Sequence, residues 1–232
     1  MKKQNIGLIG LGVMGQNLIL NIEDKGYSVA VYNRTSARTE DFTKGAAKGK
    51  NILPAYSLEE FVNSLESPRK IILLVKQGKP VDDYIKKLIP LLDKGDLIID
   101  AGNSYFKDTV RRNKELNDLG ILFIGTGISG GEEGALRGPA IMPGGQREAY
   151  NLVEDMFKKI AAKAFDGVSC VSYIGPDGAG HFIKMVHNGI EYGDMQLIGE
   201  CVWVFKNALN MNSEEIAQIM TSWDSEDNVL RS

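Results

Sequence analysis

The chain has 232 residues, 43% of them hydrophobic and 25% charged, with a formal net charge of −3 at pH 7. That length can bury a substantial core, enough for one large domain and part of a second. The mildly acidic balance excludes broad electrostatic attraction to nucleic acid or to an anionic membrane, so anionic ligands must be met by local features.

The chain begins Met1-Lys2-Lys3 and then turns apolar, as a secretory leader does. Residues 6–15, however, contain four glycines, Gln16-Asn17 follows, and there is no small-x-small cleavage site. No apolar run approaches the ~20 residues that span a bilayer. Cys170 and Cys201 have neither metal-ligand spacing nor a disulfide framework, and are read as reduced core thiols of a cytoplasmic protein.

In chain order, short apolar runs rich in Ile, Val and Leu at residues 5–9, 28–32, 70–75, 96–99 and 121–124 read as strands. Helical stretches at 13–25, 36–44, 58–65, 81–92 and 105–119 alternate with them. Continuous apolar strands joined by helical crossovers imply an α/β fold, a doubly wound, mostly parallel sheet of Rossmann-like kind. A strand at 140–143, a helix at 147–160 and a strand near 172–174 follow. Gly175-Pro176-Asp177-Gly178 is a strong breaker, after which the pattern becomes helical at 179–209 and 213–222. The second of these helices is expected to be capped by Ser213 ahead of Glu214-Glu215. The reading is therefore a dinucleotide-binding domain over 1–177 and the first helices of an all-α domain over 178–232.

The first turn is Gly10-Leu11-Gly12-Val13-Met14-Gly15. A lone G-x-G-x-x-G is weak, but this one follows a strand and opens a helix in a βαβ pattern. Gly10 would allow the tight turn, Gly12 the approach of a pyrophosphate to the helix N-terminus, and Gly15 close packing of helix on sheet. NAD sites usually carry an Asp or Glu ~20 residues further on. Here the second strand ends Tyr32-Asn33-Arg34-Thr35-Ser36. With no carboxylate to repel a 2′-phosphate and Arg34 able to pair with one, NADP is preferred over NAD.

Three later segments fall where a nicotinamide and substrate crevice would lie. Val75-Lys76-Gln77-Gly78 ends one strand. Asp100-Ala101-Gly102-Asn103-Ser104 ends the next, with Asn103-Ser104 equally readable as a helix cap. Residues 127–134, Gly-Ile-Ser-Gly-Gly-Glu-Glu-Gly, read as a turn whose exposed amides can take a carboxylate, Ser129 adding a hydroxyl. Further on, Lys184, His187, Asn188 and Glu191 fall on one face of a helix, with Lys184 and Glu191 ~10 Å apart along its axis. Taken alone, such a stripe is more often a solvated face than a catalytic one.

Together these segments resemble a known family. Gly10-x-Gly12-x-Met14-Gly15, Ser129-Gly130-Gly131 and Gly178-x-Gly180-x-x-x-Lys184-x-x-x-Asn188 are similar to motifs of the β-hydroxyacid dehydrogenases. The longer forms resemble the decarboxylating 6-phosphogluconate dehydrogenases: Asn33-Arg34-Thr35, Asp100 to Ser104, Ser129 to Gly134, and Lys184-Met-Val-His187-Asn188-Gly-Ile-Glu191-Tyr192. The resemblance runs from about Ile6 to Met220. It implies the NADP-dependent oxidative decarboxylation of 6-phosphogluconate to ribulose 5-phosphate, a pentose phosphate pathway reaction, without a metal. On the same footing, Lys184 matches the general base and Glu191 the acid. Gly10, Gly12, Val13, Met14, Gly15, Asn33, Arg34, Thr35, Val75, Lys76 and Asn103 match the cofactor site. Asn103, Ser129, Gly130, Gly131, His187, Asn188 and Tyr192 match substrate contacts. A lysine acting as base must be neutral, which requires burial or positive neighbours.

The resembling family is longer and continues into a large helical domain that completes the substrate site and a homodimer. Residues 223–232 also differ from its Trp-Asn-x-Gly-x-Leu-x-Ser pattern. Two other readings stay open at this stage: an NADP-binding fragment without catalysis, and a dehydrogenase of a smaller β-hydroxyacid. The apolar-rich helix after Gly178 is expected to be partly exposed, favouring self-association.

Overall fold

The computed structural model describes residues 2–227, with side chains described as far as Trp223. The strands are β1 (Ile6–Ile9), β2 (Val29–Tyr32), β3 (Ile52–Ala55), β4 (Lys70–Leu73), β5 (Leu97–Asp100), β6 (Leu122–Ser129) and β7 (Ala140–Gly145). They form one sheet in the order β3-β2-β1-β4-β5-β6-β7. All neighbours pair in parallel except β6 with β7, which run antiparallel. The helices are α1 (Val13–Asp24), α2 (Ser36–Lys44), α3 (Leu58–Asn63), α4 (Lys79–Leu88), α5 (Phe106–Asn117), α6 (Gly131–Arg137), α7 (Arg147–Asn151), α8 (Glu154–Ile160), α9 (Ala179–Asn207) and α10 (Ser213–Asp227). This is the doubly wound, mostly parallel α/β architecture expected.

The strand period of two divides the apolar residues between two cores. Leu8, Val29, Val31, Ile72, Ile99 and Ile124 pack with Leu18, Ile19, Ile22, Tyr150 and Phe157. Ile9, Ala30, Ile71, Leu73, Ile98 and Phe123 pack with Phe61, Val81, Ile85, Leu88 and Leu116 on the other face. A sheet covered on both sides needs apolar residues at every strand position, so the runs lack polar alternation. Each fully buried Leu or Ile contributes roughly 1.5–3 kcal/mol.

The chain departs from expectation where local chemistry overrides pattern. β3 was not foreseen because Pro54 interrupts its four residues; it is tolerated because β3 is the sheet's edge, where a missing donor costs little. The expected helix at 81–92 begins earlier, at Lys79, and tightens after Leu88 into a 3-10 turn over Ile89–Leu91 that contains Pro90. The stretch 147–160 is two helices, α7 and α8, separated where Val153 (φ −126°) turns into the core. No regular strand forms near 172–174. That segment lies beside β7 through single bridges at Val171 and Gly175, because Pro143 offers no N–H to the ladder.

Two compact units result, Met1–Met185 and Val186–Ser232. In the second, α9 ends at Asn207 and the chain then turns through Asn210 (φ +54°), a left-handed conformation that asparagine tolerates. The cap of α10 is Asn212 rather than the expected Ser213. Its Oδ1 accepts from the Glu214 and Glu215 amides at 2.9 and 3.0 Å, and Glu215 Oε2 accepts from the Asn212 amide at 2.8 Å. The rings of Phe205 and Trp223 lie 6.0 Å apart. Of the divergent residues 223–232, only the Trp223 side chain lies within the described part. Cys170 and Cys201 are both half-exposed rather than core thiols. Among the described residues no helix is long and apolar enough to cross a membrane.

Candidate active site

The strand order reverses between β1 and β4, and the loops beyond the carboxyl ends of such strands form a ligand crevice. Gly10 leaves β1 at φ +114°, and a Cβ there would stand 2.2 Å from the Leu74 carbonyl oxygen beside β4. Only glycine meets both demands. A Cβ at Gly15 would lie 2.0 Å from the Gly10 oxygen, so this position sets how closely α1 approaches the turn. Gly12, the residue before α1, has nothing within 4 Å of such an atom. The turn is thus packed against protein at two glycines and open at the third, beside Val13 and Met14, where a helix N-terminus favours an anion.

Asn33 follows β2. Its Oδ1 accepts from the Leu11 amide at 3.1 Å and its Nδ2 donates to the Thr35 oxygen at 3.2 Å, which ties the end of β2 to the glycine turn. Arg34 is exposed, and among the described residues neither it nor Arg38 has a carboxylate partner. The turn, the open Gly12 and the unpaired Arg34 therefore fit a dinucleotide carrying a 2′-phosphate. Val75 borders Gly10, and Lys76 is exposed beyond it.

The loop after β5 is held by buried charge. Asp100, fully buried, accepts from Ser104 Oγ at 2.6 Å and from Arg112 Nη1 at 3.2 Å. Arg112, 1% exposed, also donates from Nε to Asp82 Oδ1 at 2.8 Å and from Nη2 to the Gly78 oxygen at 3.1 Å. One guanidinium thus links the loops that carry Lys76 and Asn103. Ser104 is spent on Asp100, and α5 starts without a side-chain cap, so Asn103-Ser104 is not a helix cap. Asn103 is left exposed.

The Arg112 hydrogen bond holds the Asp82 carboxyl below its ordinary range. The stabilisation this carries is present above the ordinary aspartate range and is lost as pH falls through the lowered value. Arg112→Met leaves Asp100 buried without its cation and is expected to cost about 3–5 kcal/mol. Urea unfolding measures it. A loss under about 1 kcal/mol would show that Asp100 finds another partner.

The expected turn at 127–134 is shorter than foreseen. β6 continues to Ser129, which pairs with Ala140, so Gly127 and Ile128 belong to a strand. Gly130 (φ +130°) then leads into α6, a helix absent from the expected pattern, whose first residue is Gly131 (φ +61°). Ser129 is 9% exposed, whereas Gly130 and Gly131 are exposed.

Lys184 is 6% exposed and sits in the first turns of α9. A Cβ on Gly127 would stand 2.4 Å from its Cβ and 2.8 Å from its Cγ, so the missing side chain at 127 is the space its stem occupies. Gly125 and Gly144 are similarly tight against this helix start, and its own Gly180 lies equally close to the Gly125 and Met142 oxygens. Pattern reading missed these contacts, although alternating glycines within a strand (Gly125-Thr126-Gly127) signal close approach of another backbone. The other stripe residues lie in the second unit. His187 and Asn188 are half-buried, Glu191 and Tyr192 exposed. His187 Nδ1 lies 3.3 Å from Asn188 Oδ1 and 3.5 Å from Glu191 Oε2.

Two family models match the chain: the NAD binding domain of 6-phosphogluconate dehydrogenase over residues 5–175, and the C-terminal domain of 6-phosphogluconate dehydrogenase over 180–232. The chain belongs to the 6-phosphogluconate dehydrogenase family. It is 59% identical over 224 residues to the NADP(+)-dependent, decarboxylating 6-phosphogluconate dehydrogenase of Bacillus subtilis, covering 97% of this chain and 47% of that relative. It is 61% identical over 222 residues to the decarboxylating enzyme of Staphylococcus aureus, covering 96% and 47%. Plasmodium falciparum 6-phosphogluconate dehydrogenase, solved apo and in complex with NADP+ and with 6-phosphogluconate, superposes with a TM-score of 0.90 at 43% identity, covering 95% of this chain and 47% of that one. The chain thus spans about half the length of the 6-phosphogluconate dehydrogenases it matches. The 3-hydroxyisobutyrate dehydrogenase of Mycobacterium tuberculosis, at 21% identity and a TM-score of 0.76, shares the fold.

Proposed function

We propose that this chain carries the cofactor-binding half and the acid–base pair of an NADP-dependent, decarboxylating 6-phosphogluconate dehydrogenase. The observation that carries this reading is the buried Lys184, whose stem fills the space left by Gly127 two residues before the end of β6. Burial disfavours an ammonium, and a base needs the neutral amine. The names of the Bacillus and Staphylococcus relatives and the ligands of the Plasmodium structure support the same chemistry.

In this reading bound NADP supplies the hydride acceptor. The amine of Lys184 takes the C3 hydroxyl proton of the substrate as hydride leaves that carbon. The β-keto acid so formed loses its carboxylate as carbon dioxide, and the proton held on Lys184 passes to the C3 oxygen, leaving an enediol. Glu191 gives the proton that C1 of ribulose 5-phosphate requires, as the neutral Lys184 takes the enediol hydroxyl proton. Asn103, Ser129, Gly130, Gly131, His187, Asn188 and Tyr192 hold the substrate, while Gly10, Gly12, Val13, Met14, Gly15, Val75, Lys76 and Asn103 hold the cofactor. Asn33, Arg34 and Thr35 take its 2′-phosphate.

The same reading divides the chain into a dinucleotide domain, 1–177, and the start of a helical domain, 178–232. The two family models, which meet between 175 and 180, support it. It also takes the protein to be cytoplasmic and a homodimer; the exposure of Ile190, Leu197 and Trp203 on α9, each 62–63% exposed, supports the self-association.

Cofactor choice tests the first half of the proposal. Asn33→Asp combined with Arg34→Leu keeps an acceptor for the Leu11 amide but adds a charge that repels a 2′-phosphate and removes its cation. The ratio of NADP to NAD affinity is expected to fall by about 10²-fold in calorimetry, the loss of a charge-assisted pair. An unchanged ratio would refute the 2′-phosphate assignment.

A further inference from the structure

The first turns of α9 carry a second buried polar side chain that the chemistry above does not use. His181, one turn before Lys184, is 2% exposed. Its Nδ1 lies 2.7 Å from Thr109 Oγ1 on α5, and Thr109 is itself fully buried. Gly125 of β6 makes room for the pair: a Cβ there would stand 2.4 Å from Thr109 Cγ2 and 2.7 Å from His181 Nδ1. Nε2 is buried without a hydrogen-bond partner, and the ring lies beside the backbone of Asp100 and Gly102.

An under-satisfied buried imidazole costs free energy that an apolar side chain of similar volume avoids. Packing alone therefore gives no reason for a histidine at 181. What the imidazole adds is direction. Nδ1 meets α5 through Thr109, and the ring lies beside the loop that leads from Asp100 to the exposed Asn103. Burial is the main reason its pKa lies below the ordinary histidine value; nearby Asp100 opposes that shift and Arg112 adds to it. The ring is therefore neutral at pH 7, with one donor and one acceptor nitrogen.

We propose that His181 is a positioning residue for Lys184, a buried pin that registers the start of α9 against Thr109 of α5 and the Asp100–Asn103 loop. The proposal rests on Lys184 being the base, since it assigns His181 the task of holding that amine at a fixed place relative to the loop bearing Asn103. Gly180 completes the seat: a Cβ there would lie 2.3 Å from the Gly125 oxygen and 2.4 Å from the Met142 oxygen, so the helix already touches the sheet and only its register about that contact is left to fix.

The test compares His181→Leu, His181→Asn and Thr109→Val in the full chain. The direct readout needs no turnover. Competitive labelling of amines with acetic anhydride across pH, read by mass spectrometry on the Lys184 peptide, gives the reactivity of that amine in its site. His181→Leu and Thr109→Val are expected to move the Lys184 labelling midpoint by about one pH unit, with NADP affinity within about twofold of the parent. His181→Asn, whose amide places a polar group near the Nδ1 position, should restore most of the parent profile.

Where NADPH formation is measured, kcat should fall about tenfold or more in His181→Leu with KM for NADP unchanged. An unchanged Lys184 profile in a folded Thr109→Val overturns the proposal. So does joint loss of NADP binding and cooperative unfolding in both His181→Leu and Thr109→Val, which marks the pair as merely structural. The base reading fails separately, through ordinary turnover by Lys184→Met, whatever the labelling shows.

Discussion

Lys184→Met is expected to lower NADPH formation by about 10²–10⁴-fold, the usual contribution of a positioned general base. Methionine is unbranched and reproduces most of the lysine stem, so the contact with Gly127 and the seating of α9 survive the change. What it removes is the proton acceptor. The cofactor turn at Gly10–Gly15 is built by β1, β4 and α1, away from this substitution, and NADP affinity should stay within about twofold. Steady-state kinetics and calorimetry on the same preparation separate the two effects. A variant with parental kcat would remove Lys184 from the chemistry, and one that lost NADP binding would make it a cofactor-site residue.

Gly127→Ala tests the same group from the opposite side of the contact. The added methyl would stand 2.4 Å from Lys184 Cβ, where carbon atoms normally approach to about 3.5–4.0 Å. The overlap must be relieved, and backing the helix away would open the close packing of its first turn and the His181–Thr109 hydrogen bond. Gly180 is wedged against the Gly125 and Met142 oxygens, and Gly144 against the Gly180 amide. The displacement therefore falls on Lys184. A shift near 1 Å in a catalytic group costs about 10²-fold in rate, and that is the expected loss in kcat with little change in KM for NADP. Gly134→Ala is the matched control. It adds the same methyl inside α6, where the nearest atom outside the helix is 3.8 Å away, and is expected to leave kcat unchanged. Equal behaviour of the two variants would contradict a steric role for Gly127.

The central strands β1, β2, β4 and β5 were legible because they are buried on both faces and so are written almost entirely in apolar residues. The cofactor turn was legible for a different reason. Its three glycines answer three separate demands, and their spacing from β1 and α1 places them. Pattern failed where one residue served the tertiary structure against its local habit. Pro54 hid β3, since only its position at the sheet edge makes the proline harmless. Gly131 and Gly134 hid α6, whose glycine content reads as a loop until the helix is seen. Asn212 took the cap expected of Ser213 because its side chain reaches two amides and Glu215 answers it.

The site shows the same division. Lys184, Asn103 and Ser129 could be named from linear motifs, because each motif is contiguous. The Arg112 link between the loops after β4 and β5, and the pairing of His181 with Thr109, join residues far apart in the chain and leave no periodic trace. In the sequence Gly127 reads as part of an anion-binding turn. Its work in the folded chain is to vacate the volume that the Lys184 stem fills, which appears only once β6 is seen to run on to Ser129.

The most direct measurement supplies this chain with NADP and 6-phosphogluconate and follows NADPH absorbance together with carbon dioxide release, with Lys184→Met in parallel. NADPH and carbon dioxide formed in equal amounts by the parent, and not by the variant, is the expected result. Turnover with a smaller β-hydroxyacid but not with 6-phosphogluconate, or tight NADP binding with no turnover on either, would contradict the assignment.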